Sequence, residues 1–247
     1  MNDFIRKKQE SMKARGRQMI AQGLQEVEEN IRQACKKVGR SRDEITLVAV
    51  TKTQPTSIIL EAYEEGIRNF GENKVQELVD KFDHLPDDVH WHMIGHLQRN
   101  KVKQVVGRAK LIHSVDSLRL AQAIDQESAK RGLISDILLE VNVAEEESKF
   151  GLTIKETFSL IEKIANLKHI RVNGLMTMGF FSDNPETNRE IFVDLKKLSV
   201  DIGEEKIDNI SMRVLSMGMT NDYQVAIEEG ATIVRVGTGI FGARYSG

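Results

Sequence analysis

Cysteine and proline are both scarce in this chain, and each scarcity narrows the class of protein it can be. Cys35 is the only cysteine of 247 residues, which excludes an internal disulfide and a cysteine-rich metal knot and points to a reducing compartment. Three prolines, Pro55, Pro86 and Pro185, are spread along the chain with no Pro-, Gly- or Ser-rich linker between them, so residues 1–247 read as a single domain. No apolar run approaches the length needed to cross a bilayer. An excess of charge is missing too: the formal net charge is -2 and the sequence pI about 6.3, so no basic field exists to hold nucleic acid or an anionic membrane surface. Basic residues do gather at the start (Arg6, Lys7, Lys8, Lys13, Arg15, Arg17), but Asp3 and Glu10 interrupt them and no apolar signal core follows. Residues 1–40 therefore read as a helical lead-in and the chain as cytoplasmic.

What is present is a rhythm. Ile20, Leu24, Val27, Ile31, Ala34, Cys35 and Val38 follow helical spacing closed by Gly39, which predicts an amphipathic helix before the first strand. Short apolar runs then recur at 45–51, 69–71, 90–95, 111–115, 137–143, 170–176, 212–216 and 233–236. Between them lie helical patterns that open on the capping residues Thr56, Asn73, Ser117, Thr153 and Asn221. Strand followed by helix, repeated, implies right-handed parallel crossovers. Eight such units in this length predict an α/β fold of one (β/α)8 TIM barrel with an extra N-terminal helix, and an open doubly wound sheet is the alternative.

In such a barrel all strands end at one rim, so polar residues closing successive strands converge there. The expected set is Lys52, Asn73, His96, Asn142, Thr177, Ser216, Arg235 and Thr238. Lys52 ends the β-branched run Ile45–Thr51 just before Pro55 turns the chain. Partial burial there would lower the amine's pKa and leave it able to form an imine with an aldehyde. After the seventh run, Leu215-Ser-Met-Gly-Met-Thr-Asn-Asp222 holds Gly218 where backbone must approach closely, and after the eighth, Gly237, Thr238 and Gly239 form a second Gly-rich turn. Paired on adjacent strands, these turns match the phosphate site that barrels build from their last two loops. Arg235 alternates with Val234 and Val236 and so faces the interior. It needs an acceptor there, either a rim carboxylate such as Glu72 or Glu140, or a cofactor ring nitrogen. Met176, Met178, Met217 and Met219 fall at strand ends, where a flat apolar ring could rest on one of them. His90 and His92 share a strand face at a spacing that also suits zinc, yet no carboxylate or thiol completes a ligand pattern. Packing or hydrogen bonding is expected of them, and no metal site. Glu145, Glu146 and Glu147 read as a solvated loop.

The segments Val48-Ala-Val-Thr-Lys-Thr53, Phe70-Gly-Glu-Asn-Lys-Val-Gln-Glu77, Trp91-His-Met-Ile-Gly-His-Leu-Gln-Arg-Asn-Lys101, Gly174-Leu-Met-Thr-Met178, Leu215-Ser-Met-Gly-Met219 and Val234-Arg-Val-Gly-Thr-Gly-Ile-Phe-Gly242 resemble the pyridoxal phosphate homeostasis proteins, and span most of the chain from residue 45 onward. The resemblance implies a barrel like the N-terminal domain of alanine racemase, with pyridoxal 5'-phosphate (PLP) held as an internal aldimine on Lys52. By position it implies that Ser216, Gly237 and Thr238 hold the phosphate, helped by backbone near Gly218. Arg235 would meet the pyridine nitrogen and Asn73 would line the ring pocket; of the strand-end methionines, Met176 and Met217 are the two expected at the cofactor. Two positions depart from the family pattern: Arg99 stands where a smaller polar residue is common, and Phe150 where His is expected.

Three functions fit these residues. The first is a PLP carrier without substantial turnover that stores the cofactor, supplies it to apo-enzymes and so maintains vitamin B6 and amino-acid homeostasis. The second is a PLP-dependent amino-acid racemase-like enzyme, and the third a barrel enzyme acting on a small phosphorylated metabolite through a Lys52 Schiff base. Racemisation needs a base on each face of the substrate carbon. Tyr63, Tyr223 and Tyr245 offer no obvious second base, and an Arg at the pyridine nitrogen leaves the ring a poor electron sink. The carrier is the expectation, as a monomer, because no second domain is seen to build a racemase-type dimer.

Overall fold

The computed structural model describes residues 2–146 and 149–242, with side chains described from residue 16 onward. The basic side chains up to Arg15, Glu147 of the acidic loop, and Tyr245 lie outside the described residues. Eight strands, β1 (Thr46–Val50), β2 (Asn69–Glu72), β3 (His90–Met93), β4 (Ala109–Val115), β5 (Ser135–Glu140), β6 (Ile170–Met176), β7 (Ile210–Ser216) and β8 (Ile233–Val236), pair in parallel and close into a barrel in sequence order. Among the described residues the helices are α1 (Asn2–Lys37), α2 (Thr56–Glu64), α3 (Val75–Phe82), α4 (Val102–Val105), α5 (Leu118–Arg131), α6 (Ile154–Ile164), α7 (Arg189–Glu204), α8 (Tyr223–Glu228) and α9 (Thr238–Phe241). This is the (β/α)8 barrel with its additional N-terminal helix. No described helix is long and apolar enough to cross a membrane.

Alternation along each strand splits the core in two. Inward residues form a small cluster of Val48, Leu111, Leu138, Met176 and Ile233 with Val214 against it. Outward ones, among them Leu47, Ala49, Phe70, Trp91, Met93, Leu139, Leu215 and Val234, join the helices in the larger cluster. Trp91 and Met93 thus take the face opposite His92, as their spacing requires.

α1 packs on α2, α8 and α9. The helix after β8 is only the four-residue α9, so α1 occupies the outer slot between α8 and α2 where an eighth barrel helix belongs. Its buried stripe, Ile20, Leu24, Val27, Ile31, Ala34 and Cys35, is the one that the helical spacing predicts except at Val38, which lies past the helix end at Lys37 and is exposed. Gly23 makes the docking close, since a Cβ there would stand 2.7 Å from Gly239 O and 2.8 Å from Ile240 O.

Helix starts correct the expected caps at three places. Ser117 and Thr153 are N-caps, the latter with a full capping box. The others shift by one residue, to Pro55, Lys74 and Asp222. Asp222 is drawn into service elsewhere, accepting from Met219 N through Oδ1 at 2.6 Å and from Asn188 Nδ2 through Oδ2 at 2.7 Å.

Candidate functional site

β1 ends at Val50, and Lys52 lies two residues beyond it, partly buried, in the same alternation phase as the interior residue Val48. A buried cluster behind the strand end holds both of its neighbours. Thr51 donates its Oγ1 proton to Glu72 Oε1 at 2.6 Å, and Thr53 N donates to Glu77 Oε2 at 2.7 Å. Thr53 is thereby kept at φ 65, a left-handed conformation that a β-branched residue rarely adopts. Lys81 of α3 reaches Thr51 O, Glu72 Oε1 and Glu77 Oε2 at 2.9, 2.7 and 3.1 Å. Burial pushes the Glu72 carboxyl up, against the hydrogen bonds from Lys81 and Thr51.

β8 is the neighbour that closes the barrel against β1, pairing Ala49 with Val236. Gly237 therefore lies on Val50: a Cβ on Gly237 would sit 3.4 Å from Val50 Cβ and Val50 O. This places the turn after β8 beside the segment that carries Lys52, on the C-terminal rim. Gly237 N and Gly239 N both approach Thr220 Oγ1 at 3.4 Å, a length at which hydrogen bonds are weak, so two amide donors converge where α9 begins at the exposed Thr238. Gly218, at φ 88, bends the preceding turn inward, and a Cβ there would collide with Ala226 Cβ at 2.6 Å and Tyr223 Cα at 2.8 Å. Thr220 is the member of this cradle that the sequence pattern does not single out. Its hydroxyl gains a role only once both turns are folded side by side.

Arg235 is buried and faces inward. Its Nη1 donates to Ser216 Oγ at 2.5 Å and its Nη2 to Thr177 O at 2.9 Å. Burial lowers its pKa to about 10, opposed by the charges of Asp222 and Glu140, so it remains a cation at neutral pH. Of the two rim carboxylates expected as acceptors, Glu72 is turned outward to Lys81. Glu140 lies inside but no ion pair to Arg235 forms among the described residues. Glu140 is aligned with Met176, and Met176 with Ser216, across β5, β6 and β7. Its carboxyl is buried, with Oε2 lacking a hydrogen-bond partner. Desolvation, assisted by Asp116 and opposed by Arg235, raises its pKa to about 7. Asn73 also keeps a buried Oδ1 without a partner. Two orphaned acceptors at the mouth, a fixed guanidinium and a turn of converging amides fit a ligand that brings hydrogen-bond donors, an aromatic nitrogen and an anionic group.

The interior surface thus collects Asn73, Met176, Ser216 and Arg235 with the turns at Gly218 and Gly237–Thr238, next to Lys52. Met217 is a correction. Its side chain is fully buried in the layer between sheet and helices, because adjacent strand residues point to opposite faces and Ser216 takes the inner one. His113, unmarked in the sequence reading, stands inside the barrel between His92 and Ser216, at 2.9 Å from each. His90 instead meets Lys110 at 3.2 Å. Among the described residues no group of three or more His, Cys, Asp or Glu is arranged to hold a metal ion. The loop after β5 is moored at several points. Phe150 stacks on His96 with centroids 4.1 Å apart, Asn142 accepts from Glu146 N at 3.2 Å, and Lys149 donates to Gly179 O at 3.1 Å. Phe150 therefore serves as the aromatic partner of a rim histidine.

Comparison with known proteins places this geometry in a family. Residues 23–245 match the model of the alanine racemase N-terminal domain. A curated relative from Aquifex aeolicus, the pyridoxal phosphate homeostasis protein, is 43% identical over 222 residues, covering 90% of this chain and 96% of its own. A crystal structure from Bifidobacterium adolescentis superposes with a TM-score of 0.85 at 35% identity, covering 91% of this chain and 95% of that one. PipY of Synechococcus elongatus, whose structure has PLP bound, superposes at 0.76 with 30% identity, covering 86% of this chain and 100% of its own. With the Lys52 strand end, the paired glycine turns and the inward Arg235 all on one barrel rim, the chain belongs to the pyridoxal phosphate homeostasis proteins, built on the alanine racemase N-terminal domain.

Proposed function

We propose that this protein binds PLP covalently through Lys52, stores it and hands it to apo-enzymes, working as a monomer in the cytoplasm without substantial turnover of its own. The observation that carries this reading is the pairing of β1 with β8, which sets the Lys52 segment against the Gly237 turn. The cofactor, when bound, supplies an aldehyde to the Lys52 amine. The chain's own residues do the rest. The amides of Gly237 and Gly239, with Thr238 and the Gly218 turn, take the phosphate at the start of α9. Arg235 offers a cation at the ring nitrogen and withholds a proton from it, since a guanidinium does not give one up at neutral pH. Met176 supplies an apolar face, and Asn73 and Glu140 present acceptors that have no protein partner.

The two described tyrosines support a carrier over a racemase. Tyr223 is buried with its hydroxyl accepting from Asn30 Nδ2 of α1 at 3.0 Å, and Tyr63 donates to Asp88 at 2.8 Å, just before β3 on the opposite face of the barrel. Neither stands where a second base would have to stand. The test is spectroscopic and chemical. PLP added to the purified protein is expected to give a visible band, and borohydride to fix it at Lys52 by mass spectrometry, with both signals lost in Lys52→Ala. Exchange of amino-acid α-protons at catalytic rates would replace the carrier reading with the racemase one.

A further inference from the structure

A line of hydrogen bonds runs through the barrel interior from its N-terminal end to the mouth. Asn69 Oδ1 lies 3.1 Å from His92 Nε2, His92 Nδ1 lies 2.9 Å from His113 Nε2, and His113 Nδ1 lies 2.9 Å from Ser216 Oγ. Ser216 Oγ in turn receives Arg235 Nη1. Both imidazoles are buried, which pushes their pKa values down, His92 to about 3 and His113 well below the usual range. Each is therefore neutral, with one N–H and one lone pair. That fixes the polarity of the line. A carbonyl oxygen at Asn69 can only accept, so His92 donates from Nε2 and accepts at Nδ1. His113 must then donate from Nε2 and accept at Nδ1, and the only proton left to fill that position is the one on Ser216.

We propose that His113, backed by His92, is a positioning residue for Arg235: the pair consumes the Ser216 proton and fixes that hydroxyl as an acceptor for the guanidinium. Ser216 then has no donor for the mouth, and its task moves from holding the phosphate to aiming the cation. With Thr177 O as second anchor, the guanidinium plane is locked at two of its N–H groups. The arrangement does what a lone serine cannot. A free hydroxyl rotor could turn its proton toward any arriving anion and release Arg235, whereas a proton committed to His113 cannot turn. The inference rests on the PLP-binding reading for its purpose, though the polarity of the line exists without ligand.

Protein labelled with 15N at histidine, free of cofactor, is examined by long-range 15N–1H correlation. Both buried imidazoles are expected as neutral Nε2–H tautomers, and a His113 found as Nδ1–H or as imidazolium overturns the proposal. Uptake of PLP is then titrated for wild type, His113→Leu and His113→Gln. Leucine is expected to weaken uptake about tenfold, the scale of one hydrogen bond to a charged group. Glutamine, whose amide offers an acceptor oxygen and a donor nitrogen, is expected to recover to within about threefold of wild type on the same scale. Leucine as tight as wild type, or glutamine no better than leucine, rejects the positioning role while leaving the carrier reading intact. Failure of wild type to take up PLP rejects the carrier reading instead, and the tautomers still decide the polarity. If His113→Leu does not fold, the tautomer measurement on wild type stands as the test.

Discussion

Glu140 is the residue whose chemistry depends most on its surroundings. Its folded pKa of about 7 stands above the ordinary 4.5 because burial disfavours the charged form and Asp116 repels it, with Arg235 compensating only in part. Between pH 4.5 and about 7 the folded protein keeps a proton that the unfolded chain has lost, so the stability this group contributes falls as pH rises through that window. Glu140→Gln removes the loss. In cofactor-free protein the variant is expected to be more stable than wild type by about 3 kcal/mol at pH 8, the scale of 1.4 kcal/mol per unit over this shift. Near pH 4.5 the two should be nearly equal. Urea midpoints at the two pH values check this, and a difference that does not change with pH would rule it out.

At the scale of elements, the end of β1 is held by α3 as much as by the sheet. Lys81 touches a strand carbonyl and two carboxylates at once, and its side chain is only 9% exposed beside a Glu72 that is 0% exposed. Breaking a buried ion pair from one side leaves an uncompensated charge, which costs about 3–5 kcal/mol. Lys81→Met is expected to lose that much at neutral pH and markedly less below the Glu72 pKa, where the orphaned carboxyl protonates. Chemical denaturation at acid and neutral pH reads the difference, and an equal loss at both would refute the role given to Glu72. None of this support could be read from the sequence, whereas the elements themselves could. Short apolar runs of three to seven residues marked all eight strands, because a parallel barrel buries both faces of each strand and leaves near-continuous apolar runs. Lys52, Arg235 and the glycine turns were legible for the same reason, since a polar residue that breaks such a run stands out. Glu140 was read only as a possible acceptor for Arg235, and His113 was not marked at all. Each ends up where it does through stagger between strands that no single run records, as the register shifts within β4–β5 and β5–β6 make plain. Met217 was misread for a simpler cause, as strand alternation allows one of two adjacent residues to face the pocket, and Ser216 has that place.

At the scale of the whole molecule, α1 links the outside of the barrel to its mouth. Two contacts along the helix differ in what they touch. Gly23 lies against the backbone of Gly239 and Ile240, in the turn that begins α9 and presents the amides proposed to hold phosphate. Ile31, two turns further along, is fully buried in the general core. Gly23→Ala inserts a methyl group within 3 Å of two carbonyl oxygens, and the helix must retreat from α9 at a cost of about 1–3 kcal/mol, the scale of overpacking. Ile31→Ala leaves a cavity and costs about 2–5 kcal/mol, but its contact is not with that turn. Both variants should therefore unfold at lower denaturant, while only Gly23→Ala should weaken uptake of PLP. Pyridoxal, which lacks the phosphate, separates the two causes further: its weaker imine formation with Lys52 should be nearly unchanged in either variant, because β1 and its α3 support are untouched. Equal loss of PLP affinity in both variants would mean that α1 serves stability alone. Selective loss in Gly23→Ala would mean that the helix completing the barrel also sets the geometry of its phosphate cradle.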